Sequence, residues 1–199
     1  MSLKKVNNFI LGCVYLIYIF FSFSVNALEN ENINKKITNY LNNIKEFSSG
    51  FIQSNGQTIE EGELYLKNNR LKIIYTSPSN IIIIIAKNKA MYFNQDLEEV
   101  QYFNPHKSIA KIFFQIFFDN YFFDGASAYE KEKSLLINKI IVFENQEYNV
   151  SIIFEKSPLI IRKIKIQNDG NITTYSILDP NFNPVLDDRM FSLINPLIG

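Results

Sequence analysis

Five consecutive isoleucines, Ile81–Ile85, constrain the fold of this 199-residue chain more than any other stretch. A strand with one face in water alternates apolar and polar side chains, so an unbroken apolar run indicates a strand that is covered on both faces. The cover is either ordinary hydrophobic core on each side, or core on one side and an apolar ligand on the other. Isoleucine, asparagine and lysine are all used heavily, so compositional drift in an AT-rich genome is a further explanation of the run.

The period of the hydrophobic pattern changes along the chain. Apolar residues at helical spacing over residues 33–47, with Tyr40 and Phe47 among them, predict an amphipathic helix on the surface. Residues 106–123 are also helical in period, but phenylalanines on several sides predict a helix that is covered from more than one direction. The stretches between and after these two segments have a period of two, which predicts strands.

Turn residues divide the predicted strands into hairpins. Asn168–Asn171 is predicted to be a tight hairpin turn, because Asp-Gly tolerates the positive φ that such turns need. A second turn is predicted at Asn94–Asp96, and a loop at 179–185, which contains Pro180 and Pro184. The pattern predicts a mainly β (α+β) single domain: an open, strongly curved antiparallel half-barrel with helices capping its hydrophobic concave side.

The first 27 residues have the three-part pattern of a secretory signal peptide. Two lysines come first, Phe9–Val25 is apolar, and the stretch ends in Val-Asn-Ala. We expect cleavage after residue 27 and an exported domain of residues 28–199. A retained membrane anchor is the alternative, because the apolar run is slightly long for a signal peptide. Cys13, the only cysteine, precedes the predicted cleavage point, so the exported domain depends on its core instead of on disulfides.

The residues that catalysis needs are scarce. His106 is the only histidine, so neither a catalytic triad nor a His/Cys metal site is predicted. In the pairs Glu60-Glu61 and Glu98-Glu99, neighbouring side chains on a strand point to opposite faces and cannot form an acid/base dyad. No Gly-rich phosphate loop is present, and the balance of 20 basic and 20 acidic residues does not favour nucleic acid. We expect a protein without enzymatic activity, metal or cofactor.

A series of short motifs resembles the LolA family, the periplasmic carriers of outer-membrane lipoproteins. The order and spacing of the motifs carry the resemblance, and with the leading helix they extend over nearly all of the mature chain. The matching stretches are Phe51-x-Gln53, Gly62–Lys67, Arg70–Pro78, Ile81–Ala86, Asn88–Phe93, Val100–Pro105 and the closing Phe191, Leu193 and Pro196.

The resemblance implies a half-closed β-barrel whose mouth is covered by helices and whose cavity holds the acyl chains of a lipoprotein. It also implies acylated lipoprotein as cargo, an inner-membrane ABC-type complex that releases the cargo, and an outer-membrane acceptor. We expect a periplasmic protein, monomeric and without nucleic-acid partners.

Members of the family have Arg-Pro just after the strand that corresponds to Gly62–Lys67, and the arginine helps to latch the lid. Asn68-Asn69 stand at those positions here, so Arg70 is the candidate latch.

On this interpretation, a set of apolar side chains lines the cavity or forms the lid. The candidates are Leu64, Leu66, Leu71, Ile73, Tyr75, Ile82, Ile84, Phe93, Ile109, Phe113, Phe117, Ile152 and Phe154. Two alternatives remain: a related half-barrel that binds or senses another lipid, and a non-catalytic interaction module whose sheet is solid core.

Overall fold

In residues 30–198, which a computed structural model describes, eleven strands form a single antiparallel sheet. Helix α1 covers residues 30–42 and helix α2 covers Ala110–Phe118, while short 3-10 turns occupy Pro105–Lys107 and Asp188–Phe191. The predicted signal peptide lies outside the described residues. In chain order the strands are β1 Glu46–Ser54, β2 Ile59–Lys67, β3 Arg70–Ser77, β4 Ile81–Ile85, β5 Ala90–Asn94, β6 Glu99–Phe103, β7 Ser127–Glu130, β8 Ser134–Phe143, β9 Gln146–Lys156, β10 Leu159–Asn168 and β11 Asn171–Asn181.

The sheet consists of two meanders that meet at one pair of strands. Its order is β6-β5-β4-β3-β2-β1-β11-β10-β9-β8-β7, so β1–β6 and β7–β11 are each consecutive and the long-range pairing is between β1 and β11. The sheet is open, with β6 and β7 at its edges, and residues 104–126 connect these two edge strands. This architecture confirms the prediction of an open, mainly β half-barrel with helices.

Several hairpin turns are as tight as two residues. Asp169 and Gly170, with φ of 46° and 81°, connect the paired Asn168 and Asn171, which confirms the predicted turn. Asn68 and Asn69, with φ of 50° and 55°, join β2 to β3 in the same way. Proline cannot adopt a positive φ, whereas asparagine tolerates it. Asn-Asn therefore fits this two-residue turn, which a proline at position 69 could not form.

The concave face of the sheet carries the main hydrophobic core. Alternation along β3 points Leu71 and Ile73 into this core and Arg70 to the opposite face. Helix α1 contributes one apolar stripe and α2 a wider apolar surface. Neither helix has the length and apolar content that crossing a bilayer requires, among the residues described. The buried apolar residues of the helices are Ile33, Ile37 and Leu41 of α1 and Ala110, Ile112, Phe113, Ile116 and Phe117 of α2.

A second, smaller cluster covers the convex face. Ile84 and Met91 of the sheet pack against Leu186 and Phe191 of the C-terminal segment, which we define as residues 182–198. The isoleucine run is therefore covered on both sides by protein: Ile85 belongs to the concave core and Ile84 to the convex cluster.

Three element boundaries differ from the sequence-based predictions. Helix α1 ends at residue 42, and Phe47 lies in β1, where its spacing from Phe51 places both on the concave face. Helix α2 is shorter than predicted, because Pro105–Lys107 form a 3-10 turn and the residues after Phe118 form turns. Pro180 lies inside β11 next to a register shift against β1, and a bulge is where a sheet accommodates proline.

Candidate functional site

A small cavity lies between the concave face of the sheet and helix α2. Its volume is about 20 Å³, room for about one water molecule, whereas sites for organic ligands usually measure about 300–1,000 Å³. Phe113 is the residue of α2 that helps to enclose it. The lining residues are Phe51, Leu64, Ile73, Tyr75, Phe113, Ile164, Tyr175 and Ile177.

Aromatic rings close the cavity on two sides. The Phe113 ring meets the Tyr175 ring edge to face, with centroids 4.7 Å apart, and Phe51 meets Tyr75 in the same manner at 5.2 Å. Phe51 lies directly over Gly62: a Cβ at Gly62 would stand 2.8 Å from the Phe51 ring and 2.0 Å from the Ile74 carbonyl oxygen. Because glycine has no side chain, position 62 leaves room for the Phe51 ring that lines the cavity.

The tyrosines bring polar atoms to one end of the apolar cavity. The Tyr75 hydroxyl donates to Oε1 of Gln53 at 2.7 Å, and Nε2 of Gln53 donates to the Glu60 carboxylate. Burial raises the pKa of the Tyr75 and Tyr175 hydroxyls, and the negative charge of Glu60 raises both further. Both phenols are therefore neutral hydrogen-bond donors throughout the physiological pH range.

The lid segment, which we define as residues 104–126, is bonded internally. Each backbone–backbone hydrogen bond that it makes within the described chain has both partners inside the segment, as in the bond from the Asp119 N–H to the Gln115 carbonyl at 3.0 Å. No sheet ladder therefore includes residues of the lid segment within residues 30–198.

Side chains attach the lid segment to the rest of the domain. Nδ2 of Asn34 on α1 donates to the Ala126 carbonyl at 2.9 Å, and Nε2 of His106 donates to the Lys87 carbonyl at 2.7 Å. The Lys111 ammonium lies 5.3 Å from the centre of the Phe143 ring. Nζ of Lys139 on β8 also donates to the Asp124 carbonyl, and the buried apolar side chains of the segment supply the rest of its attachment.

Helix α1 is anchored differently. The Tyr40 hydroxyl accepts a hydrogen bond from the Ile161 N–H at 3.3 Å, and the Tyr40 ring packs edge-on against Phe154 and Phe182. The buried stripe of α1 packs into the main core. A direct bond to the backbone of β10 thus fixes α1 to the sheet, while α2 has none.

The structure brings some of the sequence-predicted site residues together at the cavity. Leu64, Ile73, Tyr75 and Phe113 line it. The remaining candidates in the same concave core, buried but not lining the cavity, are Leu66, Leu71, Phe117, Ile152 and Phe154.

Four other candidates lie elsewhere. Ile82 and Ile84 point to the convex face, and Phe93 lies opposite Ile82 in the sheet register and shares that face. Side chains alternate along a strand, so Ile83, paired with Ile73, faces the concave side instead. Ile109 precedes the first turn of α2 and is 42% exposed, so it is not on the buried side of the lid segment.

Arg70 contacts the C-terminal segment instead of the lid segment. Its guanidinium pairs with the Asp188 carboxylate and lies 5.1 Å from the centre of the Phe191 ring. The alternation that points Leu71 into the core necessarily points Arg70 to the convex face. For this geometric reason Arg70 is not in contact with the lid segment in this structure.

Four lining residues were not among the sequence candidates: Phe51, Ile164, Tyr175 and Ile177. Phe51 belongs to the F-x-Q motif, and Tyr175 and Ile177 are two apart in an alternating stretch. The period of two marks them as sharing one face, but pairing across β1, β11 and β10 is what brings them to the same cavity.

Residues 42–194 match the family described as outer membrane lipoprotein carrier protein LolA. The chain belongs to this family. LolA proteins are periplasmic carriers, and the family is not an enzymatic one. Membership therefore supports a lipoprotein-carrier-like fold for this chain. Within the described residues, no group of three or more His, Cys, Asp or Glu side chains is placed to hold a metal ion.

Individual proteins add to this comparison. An uncharacterized protein of Rickettsia prowazekii (strain Madrid E) is 29% identical over 180 residues, which are 88% of this chain and 83% of that protein. An uncharacterized conserved protein from Thermus thermophilus has a TM-score of 0.52 at 5% identity, covering 82% of this chain and 91% of that one. The Pseudomonas aeruginosa MucA/MucB complex gives a TM-score of 0.44 at 8% identity, covering 79% and 60%. The Thermus likeness concerns the fold alone.

Proposed function

We propose that this LolA-family protein carries lipoproteins across the periplasm by holding their acyl chains between the concave face of the sheet and the lid segment. The observation that carries the proposal is the small apolar cavity that Phe113 helps to enclose, beneath a segment that no backbone–backbone hydrogen bond ties to the sheet among the described residues. Moving Phe113 outward enlarges the cavity without breaking the sheet.

The energetics of acyl binding suit such a site. Each methylene group taken out of water contributes about 0.8 kcal/mol, so even partial cover of the acyl chains is worth many kcal/mol. The lid segment covers apolar surface in both forms of the protein: its own core when closed, and the cargo when open. The two forms are therefore close in free energy, and cargo can be passed on without ATP.

The route of the cargo follows from the family. We propose that the signal peptide, residues 1–27, is removed and that residues 28–199 act in the periplasm as a monomer. An inner-membrane ABC-type release complex supplies the acylated lipoprotein, and an outer-membrane acceptor receives it. The domain itself catalyses no reaction in this scheme.

Native mass spectrometry of the protein purified from the periplasm with a co-expressed lipoprotein tests the proposal. We expect a one-to-one complex that is lost when the acylated cysteine of the cargo is replaced by serine. The mass of the carrier also shows whether the chain begins at Leu28. A complex that is indifferent to acylation, or no complex, overturns the carrier function.

A pair of variants tests the position of the cargo. Phe113→Asp places a charge in the cavity, and we expect it to abolish the complex. Tyr121→Asp is the matched control, because Tyr121 belongs to the same lid segment but is 76% exposed. Equal cargo binding by the two folded variants places the acyl chains somewhere other than beneath α2.

A further inference from the structure

A row of polar side chains crosses four strands at one end of the cavity. Gln53 of β1 lies directly opposite Tyr175 of β11 on one side and Glu60 of β2 on the other. Directly opposed side chains on one face of a sheet are near enough to interact. Tyr75 of β3 completes the row through its hydrogen bond to Gln53 at 2.7 Å. We name Gln53, Glu60, Tyr75 and Tyr175 the polar row.

The hydrogen bonds of the polar row leave donors available. They run from the Tyr75 hydroxyl through the Gln53 amide to the Glu60 carboxylate, and the Tyr175 hydroxyl takes no part in them. The Gln53 amide nitrogen carries two hydrogens and gives one to Glu60. The Tyr175 O–H and the second Gln53 N–H therefore remain for a ligand that accepts hydrogen bonds.

The lid segment covers this row. The Phe113 ring packs against the Tyr175 ring, so the displacement of Phe113 that admits an apolar ligand also uncovers the Tyr175 side chain. The other lining residues of the cavity are aliphatic or phenylalanine. The acceptor atoms of a bound lipid would therefore lie at the polar row, and its hydrocarbon chains would lie against the apolar lining residues.

The charge of Glu60 selects among acceptors. The carboxylate acts on both tyrosines, raising the pKa of each, and it also repels an anionic ligand head. A free fatty acid carboxylate or a phosphate is therefore disfavoured. Ester and amide carbonyl oxygens, which are neutral acceptors, are accommodated.

We propose that the polar row is a subsite for the ester carbonyl groups that join the glyceryl acyl chains to a lipoprotein, with Tyr175 and Gln53 as donors. This inference rests on the proposed function and deepens it. The subsite fixes the depth of the linkage and distinguishes a lipidated protein from free fatty acid.

Binding of two synthetic triacylated cysteine lipopeptides tests the subsite. One has ester-linked glyceryl chains, and its analogue has ether links without the two glyceryl carbonyls. We expect Tyr175→Phe, which keeps the ring that Phe113 contacts, to weaken the ester form about tenfold, the usual effect of one lost hydrogen bond. Binding of the ether form should change by less than about twofold. Tyr129→Phe, an exposed tyrosine of β7, should leave both affinities unchanged.

The outcomes separate the two proposals. Equal effects of Tyr175→Phe on both lipopeptides, or no effect on either, overturn the subsite while carrier function stands. A wild-type protein that binds neither lipopeptide overturns the carrier proposal and the subsite with it.

Palmitate gives an independent measurement. We expect Glu60→Gln to bind palmitate at least about fivefold more tightly than wild type does, because the substitution removes a like charge. An unchanged affinity for palmitate contradicts the selection by charge.

Discussion

The Phe113 ring of helix α2 stands at 84° to the Tyr175 ring of strand β11, with the two centroids 4.7 Å apart. This edge-to-face pair joins the lid segment to the strand that closes the two meanders against each other. Aromatic pairs of this geometry contribute about 0.5–1.5 kcal/mol beyond the burial of their area. In the proposed function, this contact is one that the lid segment exchanges for contact with the cargo.

A reversible cross-link across this pair should block binding. We expect Phe113→Cys with Tyr175→Cys, in a Cys13→Ser background, to lose lipopeptide binding after reaction with a short bifunctional thiol reagent. Reduction of a cleavable linker should restore binding, because the lid segment can then move. Each single cysteine variant, treated identically, is the control. Full binding by the cross-linked protein contradicts displacement of α2.

Gly62→Ala should destabilise the domain strongly. Its Cβ would stand 2.0 Å from the Ile74 carbonyl oxygen and 2.8 Å from the Phe51 ring, so the strands or the ring must shift. We expect a loss of about 3 kcal/mol in the free energy of unfolding, at the upper end for overpacking. Gly50→Ala is the matched control: its nearest neighbour is Leu178 Cβ at 3.5 Å, an ordinary contact. Similar values for the two variants in urea unfolding would refute the close-approach argument.

Arg70→Ala should loosen the C-terminal segment and leave lipid binding intact. The ion pair with Asp188 is largely exposed and worth at most about 1 kcal/mol, and the stacking of the guanidinium on Phe191 adds about 0.5–1 kcal/mol. We expect faster hydrogen exchange near Phe191 and unfolding about 1–2 kcal/mol easier. Asp188→Ala should have the smaller effect. A drop in lipopeptide affinity on Arg70→Ala would restore the latch that the geometry rejects.

Alkaline pH should destabilise the fold through the two cavity tyrosines. Their pKa values are raised by burial and by Glu60, so the folded state retains protons that the unfolded chain loses near pH 10. Their contribution to stability is fully present below about pH 10 and declines as the pH rises above it. Ultraviolet titration of tyrosinate should show a group of tyrosines that ionise at higher pH than the rest. Phe113→Ala should bring the pKa of Tyr175 nearer to the ordinary value for tyrosine. Ionisation of every tyrosine in one early step, with the fold intact, would contradict this.

Local patterns predicted much of the sheet. Alternation along β3 correctly placed Leu71, Ile73 and Tyr75 together, and the Asp-Gly pair at 169–170 identified a two-residue turn. These features depend on neighbours in the chain, whose geometry is dictated by the period of the strand and by allowed φ values.

Long-range pairing accounts for what the sequence did not reveal. Which isoleucines of β4 face the helices depends on the register Ile73 to Ile83, and the cover over Ile84 comes from Leu186 and Phe191, about a hundred residues later. The cavity likewise depends on the pairing of β1 with β11. A strand pattern specifies two faces, but it does not state which distant segment will pack on each.

The internal bonding of the lid segment divides the molecule into two units of different cooperativity. Amides in the strand ladders exchange with solvent only when the sheet itself unfolds, whereas those of residues 104–126, which are bonded within α2 and its flanking turns, exchange by local unfolding of the segment while the ladders stay intact. The opening that we propose for cargo binding is then a sub-global fluctuation of the native state. Evolution can tune its frequency through the aromatic residues of α2 without altering the hydrogen-bonded ladders of the half-barrel.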